Sequence, residues 1–204
     1  VKKCLLDYLG VTLAGSKIIK KKGEKLLAFS GGTEGAYTAI GFNKKVNIYD
    51  AVLINGLSSH VLELDDGIRL GAMHPGAPII SAILPIAEEN NIGSKKLIAG
   101  IIVGYEAAIR LASSIQPSHA QKGYHTTATC GTIGAAIAVS VALDFSKKMM
   151  KDALASATIS AMGTLKVLED ASELKPYNVG KASLLGVTSV NMSQAGFVGP
   201  EDPL

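Results

Sequence analysis

The chain has 204 residues, with 20 Lys and Arg against 17 Asp and Glu and a formal net charge of +3. Hydrophobic residues make up 48% and charged residues 18%, with 22 Gly and no Trp. Such a composition excludes a disordered chain and is ample for one domain, residues 1–204, with a sizeable core. The charge is concentrated: residues 1–25 hold seven Lys against Asp7 and Glu24, a net +5 that leaves −2 for the rest. A nucleic-acid binder needs a basic face through its body, so no nucleic-acid partner is expected. Cys4 and Cys130 form no CxxC pair, which argues against a disulfide scaffold or structural zinc and for a reducing compartment. The uncharged run Thr126 to Leu143 holds Thr, Cys, Ser and Gly and reads as a buried helix, with no membrane partner.

In chain order, Lys3 to Ala14 places Leu5, Leu6, Leu9 and Leu13 on one helical face, with Gly15 as a stop. Residues 26–49 read as loops with one short hairpin, because Gly31, Gly32, Gly35 and Gly41 punctuate them. Asp50 is expected to cap a helix running to about Asp66. Further helices are expected at Pro75 to Asn91, at Lys95 to Ile115 capped by Ser94, and at Thr126 to Leu143. A fifth runs from a Ser146 cap through Met162, and a sixth spans Pro176 to Ala195. Their polar faces are thin and small residues abound, as in Gly134-Ala135-Ala136, so they should bury one another. The fold class is therefore all-α, a compact multi-helix domain. The closing stretch GFVGPEDPL carries turn residues but no closing element, which suggests a fragment.

Four clusters interrupt the apolar faces. In NGLSSHVLELDDG, residues 55–67, His60 and Glu63 fall on one helical face, and Asp65 and Asp66 close the same helix. The macrodipole disfavours three acids at that end unless something compensates. In MHPGAP, residues 73–78, His74 precedes a helix-starting Pro75; in KGYHTTATCGTIGAA, residues 122–136, His125 precedes a long apolar helix. In ELKPYNVGKAS, residues 173–183, Lys175 precedes Pro176 and Lys181 follows in the second turn. Any one cluster alone is ordinary. Together they put two imidazoles and a lysine at helix starts, where backbone amides and the ammonium solvate carboxylates and imidazoles move protons. A small polycarboxylate is the ligand this chemistry suits. A metal site built on His60, Glu63, Asp65 and Asp66 is disfavoured, because no second HxxE or ExxH supplies matching ligands.

At these residues the sequence resembles the MmgE/PrpD family, which includes 2-methylcitrate dehydratase, cis-aconitate decarboxylase and iminodisuccinate epimerase. The matching stretches are NGLSSHVLELDD with HPGAPIISAILPIAEE, GYEAAIRLA, GYHTTATCGTIGAA and LKPYNVGKAS, in the family's order. The resemblance implies a helical domain followed by an α+β lid that this chain lacks. It also implies a cytoplasmic or mitochondrial-matrix homodimer, cytoplasmic being the expectation here, and an active site that needs no metal or organic cofactor. It makes His74, His125 and Glu63 catalytic, with Lys175, Asp66, His60 and Lys181 binding substrate. The implied activity is that of a hydro-lyase of the 2-methylcitrate dehydratase kind. Alternatives are decarboxylation, epimerisation, or a non-catalytic helical dimerisation module. The chain departs from the family in Glu63, where Asp is usual, in Gly67, where Thr is common, and in Asn178, where His is common.

Overall fold

In a computed structural model that describes residues 1–30 and 35–204, helix α1 (Lys2–Ile18) runs straight through Gly15. That glycine is a packing position rather than a stop. A Cβ there would lie 1.9 Å from the Ser58 carbonyl oxygen of α3 (Ile48–His60), so the crossing admits only Gly. The expected leucine face is also turned the other way. Tyr8, Thr12, Gly15 and Ser16 are buried, whereas Leu6, Leu9 and Leu13 are 75%, 41% and 48% exposed. Only Leu5 of the four packs partly against the core. The inward side is narrow and partly polar, with the Tyr8 hydroxyl hydrogen-bonded to Ser81 Oγ at 2.7 Å. Periodicity therefore located this helix but not its buried side.

A second helix, α2 (Lys20–Phe29), occupies a stretch whose end had read as loop. The short hairpin is present: β1 (Tyr37–Ala39) pairs antiparallel with β2 (Lys44–Val46), with Tyr37 opposite Val46. Gly41 and Asn43 turn it in the left-handed region, at φ 79° and 53°. Gly31 and Gly32 lie outside the described residues.

Helix α3 starts and stops differently from expectation. Asn47 caps it by accepting the Asp50 amide at 3.0 Å, and Asp50 sits inside the first turn. The helix ends at His60, well before Asp66, and Glu63 turns the chain with φ 53°. His60 and Glu63 therefore do not share a helical face.

The remaining helices are α4 (Gly76–Glu89), α5 (Ser94–Ile115), α6 (Ser118–Gln121), α7 (Thr126–Ala142), α8 (Lys147–Ser160) and α9 (Lys175–Gln194), with a 3₁₀ turn at Leu165–Leu168. Gly93 rather than Ser94 occupies the cap position of α5, while Ser146 caps α8 through the Met149 amide as expected. Every residue of α7 except Val141 is buried, as α4, α5, α8 and α9 surround it. Close approach makes this feasible. A Cβ on Gly104 would sit 2.8 Å from the Gly134 carbonyl oxygen, and one on Gly134 would sit 2.9 Å from that of Gly104. Helix α5 is long and apolar enough to cross a membrane by length and composition; here Gly100, Gly104 and Ala108 lay it against α7. The central position of α7 carries its first residues, and His125 before them, into the fold's interior.

Candidate active site

The functional clusters meet where α3 ends and α4, α7 and α9 begin. His60 is the last residue of α3, His74 lies two residues before α4, His125 is the N-cap of α7, and Lys175 opens α9. The early end of α3 matters most, because it folds residues 61–75 back over the helix terminus. His60 and His74 then pack edge to face, ring centroids 4.8 Å apart, and His60 and His125 lie 6.3 Å apart.

Asp65 sits at the centre of this loop, almost fully buried. Its carboxylate accepts from His60 Nδ1 at 2.9 and 3.1 Å and lies 3.5 Å from His74 Nδ1. His74 Nδ1 also lies 3.3 Å from the Asp65 carbonyl oxygen, and the His74 amide donates to Thr127 Oγ1 at 3.1 Å. His60 is fully buried, and its Nε2 has no protein partner. Its other ring nitrogen, Nδ1, holds the Asp65 carboxylate from the interior side of the loop.

Asp66 is likewise committed to the protein. Its carboxylate accepts from the Gly76 amide at 2.9 Å and from the Tyr105 hydroxyl at 2.8 Å, tying the loop to the start of α4 and to α5. Burial pushes its carboxyl above the usual range against those two donors. Burial and the adjacent Asp66 also push the Tyr105 hydroxyl upward, so it stays a donor.

Glu63 and Lys175 form an ion pair at 2.5 Å, bringing together residues 112 apart in sequence. The lysine bond holds the Glu63 carboxyl below its ordinary value. Lys175 is mostly buried and Glu63 more open, on the wall of a groove of about 710 Å³. Ile18, Leu26, Leu57, Val61 and Tyr177 supply that groove's apolar surface.

His125 is buried enough that its pKa is lowered to about 3, with His60, Lys175 and His74 adding to the effect. It is therefore a neutral imidazole at physiological pH. Asn178 lies against it, Nδ2 to Nδ1 at 3.4 Å, and also donates to the Thr164 carbonyl at 3.2 Å. Lys181 reaches Asn178 Oδ1 at 3.4 Å rather than an imidazole, and burial lowers its pKa. Gly67 leaves space beside His74: a Cβ there would lie 3.8 Å from the ring.

Of the residues read as a metal set, Glu63 is taken by Lys175 and Asp66 by Tyr105 and Gly76. Among the described residues, the donors that do converge are His60, Asp65 and His74, within 4.8 Å of one another. Three such ligands suit a divalent ion only if it displaces the His60–Asp65 hydrogen bond. The sequence reading missed the positions of Asp65 and Asn178 in the site. His60 and Asp65 are five apart, a spacing that separates them on a continuous helix, and only the break at His60 joins them.

Two imidazoles, a lysine at a helix N-terminus and a nearby carboxylate define an all-α domain equipped to hold an anion and move a proton. The whole chain, residues 1–204, matches the MmgE/PrpD N-terminal domain, and it belongs to the MmgE/PrpD family. It is 24% identical to a cis-aconitate decarboxylase-like protein of Aspergillus oryzae, over 97% of this chain and 42% of that protein. It is 25% identical to cis-aconitate decarboxylase of Mus musculus, over 97% of this chain and 41% of the relative. It is also 25% identical to cis-aconitate decarboxylase of Aspergillus terreus, over 96% and 41%. The chain thus spans about two-fifths of these relatives' length.

Proposed function

We propose that this domain supplies the carboxylate-binding and proton-transfer part of a lyase acting on a small di- or tricarboxylate. The observation that carries the reading is the convergence of His74, His125 and the Lys175–Glu63 pair at three helix starts. Lys175 and the opening amides of α9 offer positive charge to a substrate carboxylate, which would displace or share Glu63. The imidazoles exchange a proton at the carbon next to that carboxylate, while the lysine steadies charge on an enolate-like intermediate.

Two reactions fit this machinery. In dehydration of a 2-methylcitrate-like acid, a base removes a proton alpha to a carboxylate and an acid protonates the departing hydroxyl. In decarboxylation, a C–C bond breaks, carbon dioxide leaves, and the remaining electron pair is protonated. The relatives' names favour decarboxylation of cis-aconitate, and the motifs alone do not separate the two. A second copy of the chain is a further part of the proposal, supported by the exposed stripe of Leu6, Leu9 and Leu13.

The test is turnover of methylcitrate, citrate, cis-aconitate and iminodisuccinate, followed by NMR, in wild type and His125→Ala. Consumption of one acid that the variant reduces by about 10²-fold or more supports the reading. Wild-type turnover that His125→Ala leaves unchanged overturns it.

A further inference from the structure

Two imidazoles in one site raise the question of which gives and which takes the proton, and their neighbours differ in a way that answers it. His74 Nδ1 faces only acceptors: the Asp65 carbonyl oxygen at 3.3 Å and the Asp65 carboxylate at 3.5 Å. Neither can donate, so Nδ1 must carry the hydrogen, and a neutral His74 keeps its lone pair on Nε2. His60 makes Asp65 a reliable acceptor by donating to both carboxylate oxygens, at 2.9 and 3.1 Å.

At His125 the polarity is reversed. The Asn178 amide is oriented at both ends: Oδ1 accepts from Lys181 Nζ at 3.4 Å, and Nδ2 donates to the Thr164 carbonyl at 3.2 Å. Its NH₂ is therefore the group that meets His125 Nδ1, at 3.4 Å. A donor there requires a lone pair on Nδ1 and places the hydrogen of neutral His125 on Nε2. The burial that keeps His125 uncharged makes this an N–H donor rather than an imidazolium.

We infer that Asp65 and Asn178 are positioning residues that set opposite tautomers, making His74 the proton acceptor and His125 a neutral hydrogen-bond donor to the charge that develops on the substrate. The assignment rests on the lyase reading for its meaning, since it divides that reaction's two roles. It also gives Asn178 a function: a side-chain amide donates to Nδ1 at every pH, which an imidazole does not.

The experiment is long-range ¹⁵N–¹H correlation NMR of histidine-labelled protein at neutral pH, with the four His assigned through His→Gln variants. The expected result is a protonated Nδ1 on His74 and a protonated Nε2 on His125. Asn178→Asp, which puts an acceptor beside His125 Nδ1, is expected to move that hydrogen to Nδ1. It should lower kcat on the order of 10²-fold with KM little changed. Asp65→Asn keeps the backbone acceptor at 3.3 Å and is expected to weaken the His74 preference without reversing it, lowering kcat on the order of 10-fold or more. His74 protonated at Nε2, or His125 at Nδ1, in the wild type overturns the inference. So does a His125 tautomer that Asn178→Asp leaves in place. The tautomers are read without substrate, so reversed tautomers with turnover intact sink this inference alone. Tautomers as expected with no turnover of any carboxylate by the full-length protein sink the lyase reading.

Discussion

The contact of α5 with α7 is buried throughout and the loop 61–75 only in part, around Asp65 and Met73, and different physics holds them. Between the helices the approach is so close that Gly104 and Gly134 face each other's carbonyl oxygens, and the neighbours are Ala108, Ala138 and Ile79. Nothing polar needs a partner there beyond the helices' own ladders, and what stabilises the contact is density. In the loop, one carboxylate is buried and the next half-buried, and each is matched by donors: Asp65 by His60, Asp66 by Tyr105 and the Gly76 amide. The first region is intolerant of added volume, the second of a lost partner.

The sharpest way to break the first region is Gly134→Val. Its Cβ would lie 2.7 Å from Ala108 Cβ and 2.9 Å from a carbonyl oxygen, with Ile79 at 3.0 Å, so α5 has to move as a unit. The expected loss is about 3–4 kcal/mol, read from the denaturant midpoint of unfolding. In the loop, Asp65→Ala adds no volume but leaves the His60 Nδ1–H unpaired in the interior. The expected cost is about 2–3 kcal/mol. If Asp65→Ala proved neutral while Gly134→Val unfolded the chain, the loop would be packed rather than bonded.

Acid acts on the polar region alone. His125 has a native pKa of about 3 against 6.5 for the unfolded chain, so the native state binds fewer protons between those values. Stability therefore rises with pH through that window and is lost as pH falls below 6.5. Asp66 works in the opposite sense. Its raised carboxyl favours the native state at low pH, and that contribution fades as pH rises through the native value. Their sum is an expected loss of about 1–2 kcal/mol from pH 7 to pH 5, which His125→Gln should reduce, leaving the same-sign share of His119, whose pKa burial also lowers. Chemical denaturation at both pH values measures it.

These two regions also differ in what could be read from the residues. The apolar run of α7 announces itself, because a helix buried on all sides leaves no polar stripe, and α5 needs small residues where it crosses it. His74, His125 and Lys175 were legible for a related reason, since each precedes or opens a helix with a recognisable start. The end of α3 was not. HVLELDD continues a helical pattern through Leu62 and Leu64, yet the chain breaks at His60, and Leu64 ends up 69% exposed. Burying Asp65 against His60 and Asp66 against Tyr105 outweighs the local preference, and those partners lie on other elements or around a turn that no local periodicity encodes. The same blindness affects Asn178, whose role depends on His125 and Thr164 rather than on neighbours in sequence.

Helix α1 joins both kinds of contact on one element and yields the smallest effects. Tyr8→Phe leaves Ser81 Oγ without its partner at the buried crossing, for an expected cost of about 1 kcal/mol. Leu9→Gln changes a residue 41% exposed on the opposite side, and the expected change is within about 0.5 kcal/mol in the dilute chain. The apolar pattern of the sequence points to the reverse order, with the leucine buried and the tyrosine at the margin. Unfolding midpoints of the two variants, compared at low protein concentration, decide between them. A Leu9→Gln loss that grows with protein concentration locates the stripe in a contact between two copies. A loss above 1 kcal/mol in the dilute chain instead means that α1 turns its leucines inward.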